Sequence, residues 1–528
     1  QPSDKGAISD AEFQKKIIQT LSKIDIEVFP VESFTTAHKA LPDDLEGFKN
    51  MFIEGDSGNI KNMNMFKRRI LGLTSYFKSA QEKLLPKYEP TRDLQVIKIP
   101  MSDFQFGVYE EARADERRQE TNNAKRRKKG GDNLFDTTST YRIFSRAFCN
   151  FAFPRPPGRP FPKQGEDVQG SLEKGVDEDV MDATQPKDKI ENPDGRFTAD
   201  DIGFLEELDK DSLDSGYESR IKSALQFLED NPEETIMPEA LQKYSPKFLN
   251  ILENVKNVDN QGIHLIYSQF RTIEGIGILK LILEANGFAH LKIRKNSADQ
   301  WVLDVTDEDM RKPKFALYTG TESVEEKDII LNITNSTWEN VPSTITDKLL
   351  EHHTNNHLGE IVKVFMITSS GSEGIDMRNV RFVHIVEPYW HPVRSQQVIG
   401  RARRICSHED LPEELRTVNV FMYLMTFTEE QLSSDNSIEL RLKDKSKIDK
   451  KTPLTSDEAL FEISNIKEDI TKQILKAIKE SSMDCSIHSS SKDGEPLVCY
   501  SVSSTKPNKF SYSPSISNEE SDTITAIN

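Results

Sequence analysis

The sequence predicts an α/β protein built on a doubly wound, mostly parallel sheet. From Gly262 onward short apolar runs alternate with helical patterns, and each run is apolar throughout rather than at every second residue. Strands buried on both faces have that signature, whereas half-solvated antiparallel strands alternate. The small and polar clusters YSQF, YTGTES and TSSGSEGIDM each follow such a run. In open α/β sheets that is where ligands bind.

The elements follow in order. SDAEFQKKIIQTLSKIDI spaces Phe13, Ile17, Ile18, Leu21 and Ile24 as a helix would, with Ser9 and Asp10 as caps. LQVIKIPMS reads as a strand, and DFQFGVYEEARADERRQE as a helix running into polar sequence. The five cations Lys125 to Lys129 are a solvated turn, a targeting signal or a phosphate contact. From Pro154 to about Asp200 the chain is rich in Pro, Gly and acid and poor in apolar residues. Such a segment cannot bury enough surface to offset its ordering entropy, so a flexible linker is expected.

YESRIKSALQFLEDN and SPKFLNILENV are helical, the second capped by Ser245 with Pro246 in its first turn. Then come strand GIHLIYSQF, a helix ended by Gly287, strand KFALYTG, helix SVEEKDIILNI, and strands VKVFMITSS and VRFVHIVEP. A helix opened by VRSQQVIGRARR and a last strand, TVNVFMYLM, close the series. SDEALFEISNIKEDITKQILKAIKESS is an amphipathic helix, and 489–528 is Ser-rich and expected to be poorly ordered.

The chain has 528 residues, 36% hydrophobic and 30% charged, with a net charge of −18. That length suggests two to four domains. The acidic balance argues against a generic nucleic-acid coat, though not against a local basic cleft. Cys149, Cys406, Cys485 and Cys499 are not spaced as a metal knuckle or a disulfide framework, so a reducing, intracellular setting is expected. No apolar run approaches the roughly 20 residues that span a bilayer. The chain starts with Gln1, which suggests a fragment of a longer polypeptide.

Two clusters carry chemistry. In ITSSGSEGIDMRNV, small residues bend the chain after a strand and leave backbone N–H groups for a phosphate, with Gly374 and the Asp376 carboxylate at the exit. In QQVIGRARR, Gln397, Arg401 and Arg404 share a helical face at i, i+4 and i+7, with Arg403 pointing elsewhere. Two arginines beside a phosphate-type turn can read triphosphate charge, a task for which lysine lacks the forked geometry. His353 and His357 at i, i+4 lack a third ligand, so no metal site is expected. Trp390 either stacks a base or packs its own turn.

YSQF, TSSGSEGIDMRNVRFVHIVEPYWHP and QQVIGRARRI resemble motifs IV, V and VI of superfamily-2 helicases in the Swi/Snf-like branch. FKRRILGLTSYF…IPMSDFQFGVYEEA is similar to the stretch joining that branch's two lobes. YSPKFLNILENV is similar to the start of its second lobe, and RARRICSHEDLPEELRTVNVF to helicases of large nucleocytoplasmic DNA viruses. Asp376 stands where the branch usually has Asn, and Cys406-Ser407 where it has Gly-Gln, which argues against nucleosome remodelling.

The resemblance implies a RecA-like second helicase lobe. Arg401 and Arg404 would reach the γ-phosphate and Gln397 would position it. Gly374 and Asp376 would lie on the nucleotide, and Thr368, Ser268 and Gln269 on the nucleic-acid backbone. ATP and Mg²⁺ would be held mainly by a first lobe in the same polypeptide, since no glycine here is followed by lysine. The expected partner is nucleic acid, DNA rather than RNA, and no membrane. The expected function is the C-terminal part of an ATP-dependent helicase or translocase; the alternative is a nucleic-acid-binding module or scaffold without ATPase activity. The expected parts are the end of a first lobe with a bridging region (1–153), a linker (154–200) and a helical connector (201–239). The RecA-like domain (240–450), a C-terminal helix (451–488) and a disordered tail (489–528) follow.

Overall fold

The computed structural model describes residues 10–28, 40–54, 58–75, 84–126, 142–160, 216–319, 322–368, 374–433, 444–488 and 497–500. Most of the basic run, most of the expected linker, nearly all of the tail and the Ser-rich part of the 369–373 turn lie outside them. Two units are distinct: residues 79–469, and residues 1–78 with 470–528.

The larger unit is a seven-stranded parallel sheet with helices on both faces, as the apolar runs predict. Its strands are β1 Leu94–Pro100, β2 Ile263–Tyr267, β3 Ala289–His290, β4 Lys314–Tyr318, β5 Val362–Ile367, β6 Val380–Ile385 and β7 Asn419–Thr426. They lie in the order β1-β7-β6-β2-β5-β4-β3. Alternation sends Ile266, Phe315, Val364, Met366 and Phe382 to one core and Leu265, Phe365, Ile367, Val383 and Ile385 to the other. The fold is RecA-like, with the strand exits along one edge.

The lobe draws on more chain than the expected boundaries allow. β1 pairs along its whole length with β7, Leu94 opposite Val420 and Pro100 opposite Thr426. Helices α1 Asp103–Arg126 and α2 Ile143–Asn150 come from the same early stretch. Buried Cys149, Phe151 and Phe153 sit in one core with Phe248 of helix α4 Pro246–Lys256; helix α3 Tyr217–Asp230 adds Tyr217 and Leu228. Boundaries at 153 and 240 therefore cut through a single core. The first residues of the expected linker are also folded. Arg159 is buried and makes a two-pronged contact with Glu274, at 2.7 and 3.1 Å.

Local rules account for the caps. Ser245 Oγ accepts from Phe248 N at 3.1 Å, and Pro246 occupies the first turn. Gly287, at φ +92°, follows helix α5 Ile276–Ala285, a backbone that favours glycine. Ser323 caps helix α6 Val324–Thr334 through Glu326 N.

A row of polar side chains crosses the centre of the sheet. His264 Nδ1 lies 2.9 Å from His384 Nε2, and His384 Nδ1 lies 2.8 Å from the Tyr423 hydroxyl. Asn254 Nδ2 donates to that hydroxyl at 2.9 Å, and His264 Nε2 lies 3.1 Å from the Asn260 carbonyl. Because a carbonyl only accepts, His264 Nε2 carries the proton there. Each neutral imidazole then accepts on Nδ1 and donates from Nε2.

The smaller unit packs Phe52, Phe66 and Ile70 with Ala477, which belongs to the helix Ser456–Ser481 (α8). Phe66 meets Phe48 and Phe52 edge-on, and Phe48 lies tilted against Phe52, with centroids 5.1 to 6.2 Å apart. Lys67 pairs with Glu480 at 2.5 Å. Cys485 and Cys499 are joined in a disulfide, Cα atoms 5.7 Å apart. The cysteine spacing shows no disulfide framework, yet this pair forms beside the end of α8, where Tyr500 N donates to Glu480 O at 2.7 Å.

Candidate nucleotide and nucleic-acid site

The candidate arginines stand at the end of helix α7 Pro392–Ala402, behind β6. His391 caps it, its Nδ1 accepting from Val393 N at 3.2 Å, and Pro392 fills the first turn. Val398 and Ala402 are buried against the sheet, which leaves Gln397 exposed and Arg401 half-buried. The helix thus begins before Gln397 and ends before Arg403, which takes φ −110° and ψ 71° as its C-cap. The i+7 position expected for Arg404 on a continuous helix does not exist.

Arg404 nevertheless reaches the expected turn. Its Nε lies 3.1 Å from Asp376 Oδ1. Arg401 Nη1 donates to the neighbouring carbonyl of Ile375 at 3.4 Å. The turn is held from beneath and from one side. Ile375 and Met377 are buried, so Gly374, Asp376 and Arg378 face outward. Gly374 sits at φ +78°, in the left-handed region, with nothing within 4 Å of where a Cβ would stand. Asn335 clamps the segment by donating to Asp376 O at 2.8 Å and accepting from Arg378 N at 2.9 Å. Asn379, at φ +58°, donates from its backbone to Ser407 O at 2.8 Å and from its amide to Asp410 at 3.1 Å.

The other expected site residues are placed differently. Ser268, Gln269 and Thr368, expected to face a nucleic-acid backbone, are buried at 0, 7 and 3% exposure. Ser268 Oγ donates to Glu387 at 3.1 Å, Gln269 N donates to the same carboxylate, and Arg146 donates to Gln269 Oε1. Asn150 Nδ2 completes the shell on Glu387 at 3.1 Å. Burial pushes the Glu387 carboxyl up, opposed by the Gln269 N–H and by Lys247 and Arg146. Ser268 and Gln269 are thus tied into an internal polar network, and Thr368 is buried directly after the end of β5. The sequence reading missed Glu387, whose only signal was an acid directly behind an apolar strand.

Trp390 is half-buried with its ring 4.1 Å from Lys467 Nζ, and Arg394 lies 4.1 Å over Tyr389. His353 and His357 are not on a helix, and among the described residues no cluster of three or more His, Cys, Asp or Glu could hold a metal ion.

Residues 316–406, which include the Asp376 turn and both arginines, match the family model described as the helicase conserved C-terminal domain. Over these residues the chain is similar to a helicase C-terminal domain. It is 28% identical over 472 residues to a protein of Acanthamoeba polyphaga mimivirus named as an ATP-dependent RNA helicase, covering 83% of this chain and 50% of that one. A second mimivirus protein of the same description is 25% identical, covering 72% of this chain and 48% of that one. A termination factor NPH-I homolog of African swine fever virus is 31% identical over 201 residues, covering 34% of this chain and 26% of that one. The chain spans about half the length of the mimivirus relatives. Among the described residues no helix is long and apolar enough to cross a membrane.

Proposed function

We propose that this helicase lobe works in an ATP-dependent nucleic-acid translocase of the Swi/Snf-like branch, supplying the arginines that meet the nucleotide's terminal phosphate. The observation that carries the reading is the convergence of Arg401 and Arg404 on the Ile375-Asp376 turn. Arg404 is 44% exposed and its partner carboxylate 82% exposed, so the pair is cheap to open. A triphosphate offers Arg404 a stronger, forked contact in place of Asp376. Arg401 stands beside it, and Gln397 faces outward one turn earlier on α7. Gly374 leaves the backbone open to approach, and Asp376, once released, can accept from a ribose hydroxyl.

ATP brings the phosphoanhydride whose cleavage drives movement. Its Mg²⁺ would take its ligands outside the described residues, on a first lobe that carries a phosphate loop. The proposed track is DNA, read through its phosphates. Ser268 and Gln269 would reach it, beside Thr368, only after the Glu387 network rearranges, which makes that network part of the motor's cycle.

The test is steady-state ATP hydrolysis by the full-length protein, with and without DNA and with RNA in parallel. DNA-stimulated turnover that collapses in Arg404→Ala supports the reading. Stimulation by RNA alone overturns the choice of track. Nucleic-acid binding without turnover overturns the enzyme and leaves a binding module or scaffold.

A further inference from the structure

The end of helix α6 reaches the Asp376 turn through one side chain. Asn335 is the C-cap of α6, and the helix closes there on backbone alone: Asn335 N donates to Leu331 O at 2.9 Å, Ser336 N to Ile333 O at 3.1 Å and Thr337 N to Asn332 O at 2.9 Å. Asparagine side chains near a helix end can bond their own backbone. This one instead bonds a segment 41 residues further on. Ile329, Ile330 and Ile333 bury α6 in the core, so the amide is presented from a fixed base.

Four contacts converge on one short stretch of backbone. Arg401 Nη1 meets Ile375 O, and Arg404 Nε meets the Asp376 carboxylate. Asn335 Nδ2 donates to Asp376 O and its Oδ1 accepts from Arg378 N, so it grips the chain on either side of Met377. A carboxamide sets a donor and an acceptor side by side, which this grip requires. Aspartate at 335 keeps the acceptor and loses the donor, and alanine loses both.

We infer that Asn335 is a positioning residue for Arg404, a role that rests on the reading of this turn as the nucleotide's. By fixing the backbone of residues 376–378 it sets where the Asp376 carboxylate holds the guanidinium before a phosphate arrives. Asn335 itself touches no substrate, and its effect passes through the arginine. Without the grip the turn drifts and takes the guanidinium with it. A shift of about 1 Å in such a group costs up to about 10²-fold in rate.

Single-turnover ATP hydrolysis by the full-length protein, with enzyme in excess and DNA present, is measured for Asn335→Ala, Asn335→Asp and Arg404→Ala, and for each Asn335 variant combined with Arg404→Ala. Steady-state KM and thermal melts are recorded beside it. Each Asn335 variant alone should lower the rate about 10- to 100-fold and leave KM for ATP nearly unchanged, as expected when a contact made only in the transition state is lost. On the Arg404→Ala background the same substitutions should cost less than about twofold, because the side chain they misplace is gone. A residue that only supports the fold gives losses that multiply. Should Asn335→Ala not fold, Asn335→Asp decides. Normal turnover in Arg404→Ala overturns the nucleotide reading, and the role of Asn335 with it. A slow Arg404→Ala beside normal Asn335 variants overturns the positioning role alone. So do losses that multiply, a loss confined to KM, or failure of both Asn335 variants to fold.

Discussion

Arg404 and Asp376 form an exposed ion pair, Nε to Oδ1 at 3.1 Å, between the two segments proposed to meet the nucleotide. An exposed pair of this kind contributes at most about 1 kcal/mol. Its interest is positional, because it holds the guanidinium over the turn before any phosphate arrives.

In the full-length protein Arg404→Ala and Arg401→Ala should lower ATP turnover by about 10³-fold or more. Their melting temperatures should change little, since neither side chain is in a core. Arg404→Lys should recover little of the loss, because an ammonium lacks the fork. Arg403→Ala should cost less than tenfold. Measured kcat beside thermal melts separates these cases. An essential Arg403 with a dispensable Arg404 would refute the assignment.

Binding of duplex DNA should be modest, indifferent to base sequence and steeply dependent on salt. A fluorescence anisotropy titration at several salt concentrations measures it. Affinity that stays flat between about 50 and 200 mM salt would contradict a phosphate-reading cleft.

Lys247 is fully buried with its Nζ 2.6 Å from Asp457 and 2.9 Å from Asn150 Oδ1. Lys247→Met should cost about 3–5 kcal/mol, because it strands a buried carboxylate. The pair Lys247→Met with Asp457→Leu should recover much of that. Urea denaturation of the single and double variants reports both numbers. A double variant no more stable than the single one would mean that the ion pair does not account for the loss.

His264, His384 and His408 are buried, and burial is the main cause that pushes all three imidazoles down, His264 to about 3 and His408 to about 4. In the unfolded chain they protonate near pH 6.5. As pH falls below that value the unfolded state binds protons that the fold refuses, so stability drops, by about 4 kcal/mol per pH unit for the three together. Glu387 and Glu274, pushed up by burial, act in the opposite sense nearer the carboxylate range. Chemical denaturation at pH 7.5, 6.5 and 5.5 should show the loss, and His384→Gln should flatten it. Equal stability at all three would mean that the histidines titrate freely in the fold.

The sheet was legible because short, continuously apolar runs set between helical patterns suit little besides strands buried on both faces. Ser245 with Pro246 likewise announces a helix start by local chemistry alone. Partners distant in sequence were not legible. Leu94 pairs with Val420, and nothing in the period of LQVIKIP names that neighbour. The same limit hid the Arg159–Glu274 pair, whose arginine lies in a Pro-rich stretch that composition assigns to a linker. At the candidate site the residue types were readable and their geometry was not. Arg404 meets Asp376 because the chain turns after Ala402, whereas periodicity could only extend the helix. Glu387 was overlooked because an acid after a strand looks solvated until its donors are known.

The histidine row across the sheet has a consequence for assembly. Its links join β2, β6 and β7 through His264, His384 and Tyr423. A one-residue slip of any of these strands turns its member to the opposite face. A two-residue slip of β6 sets Phe382 where His384 must stand, and strands buried imidazole and phenol groups at about 1–3 kcal/mol each. Uniform apolar strands would tolerate such slips almost silently. The row therefore proofreads the central strands: only one alignment closes every link, and misaligned sheets are penalised before the outer strands can add to them.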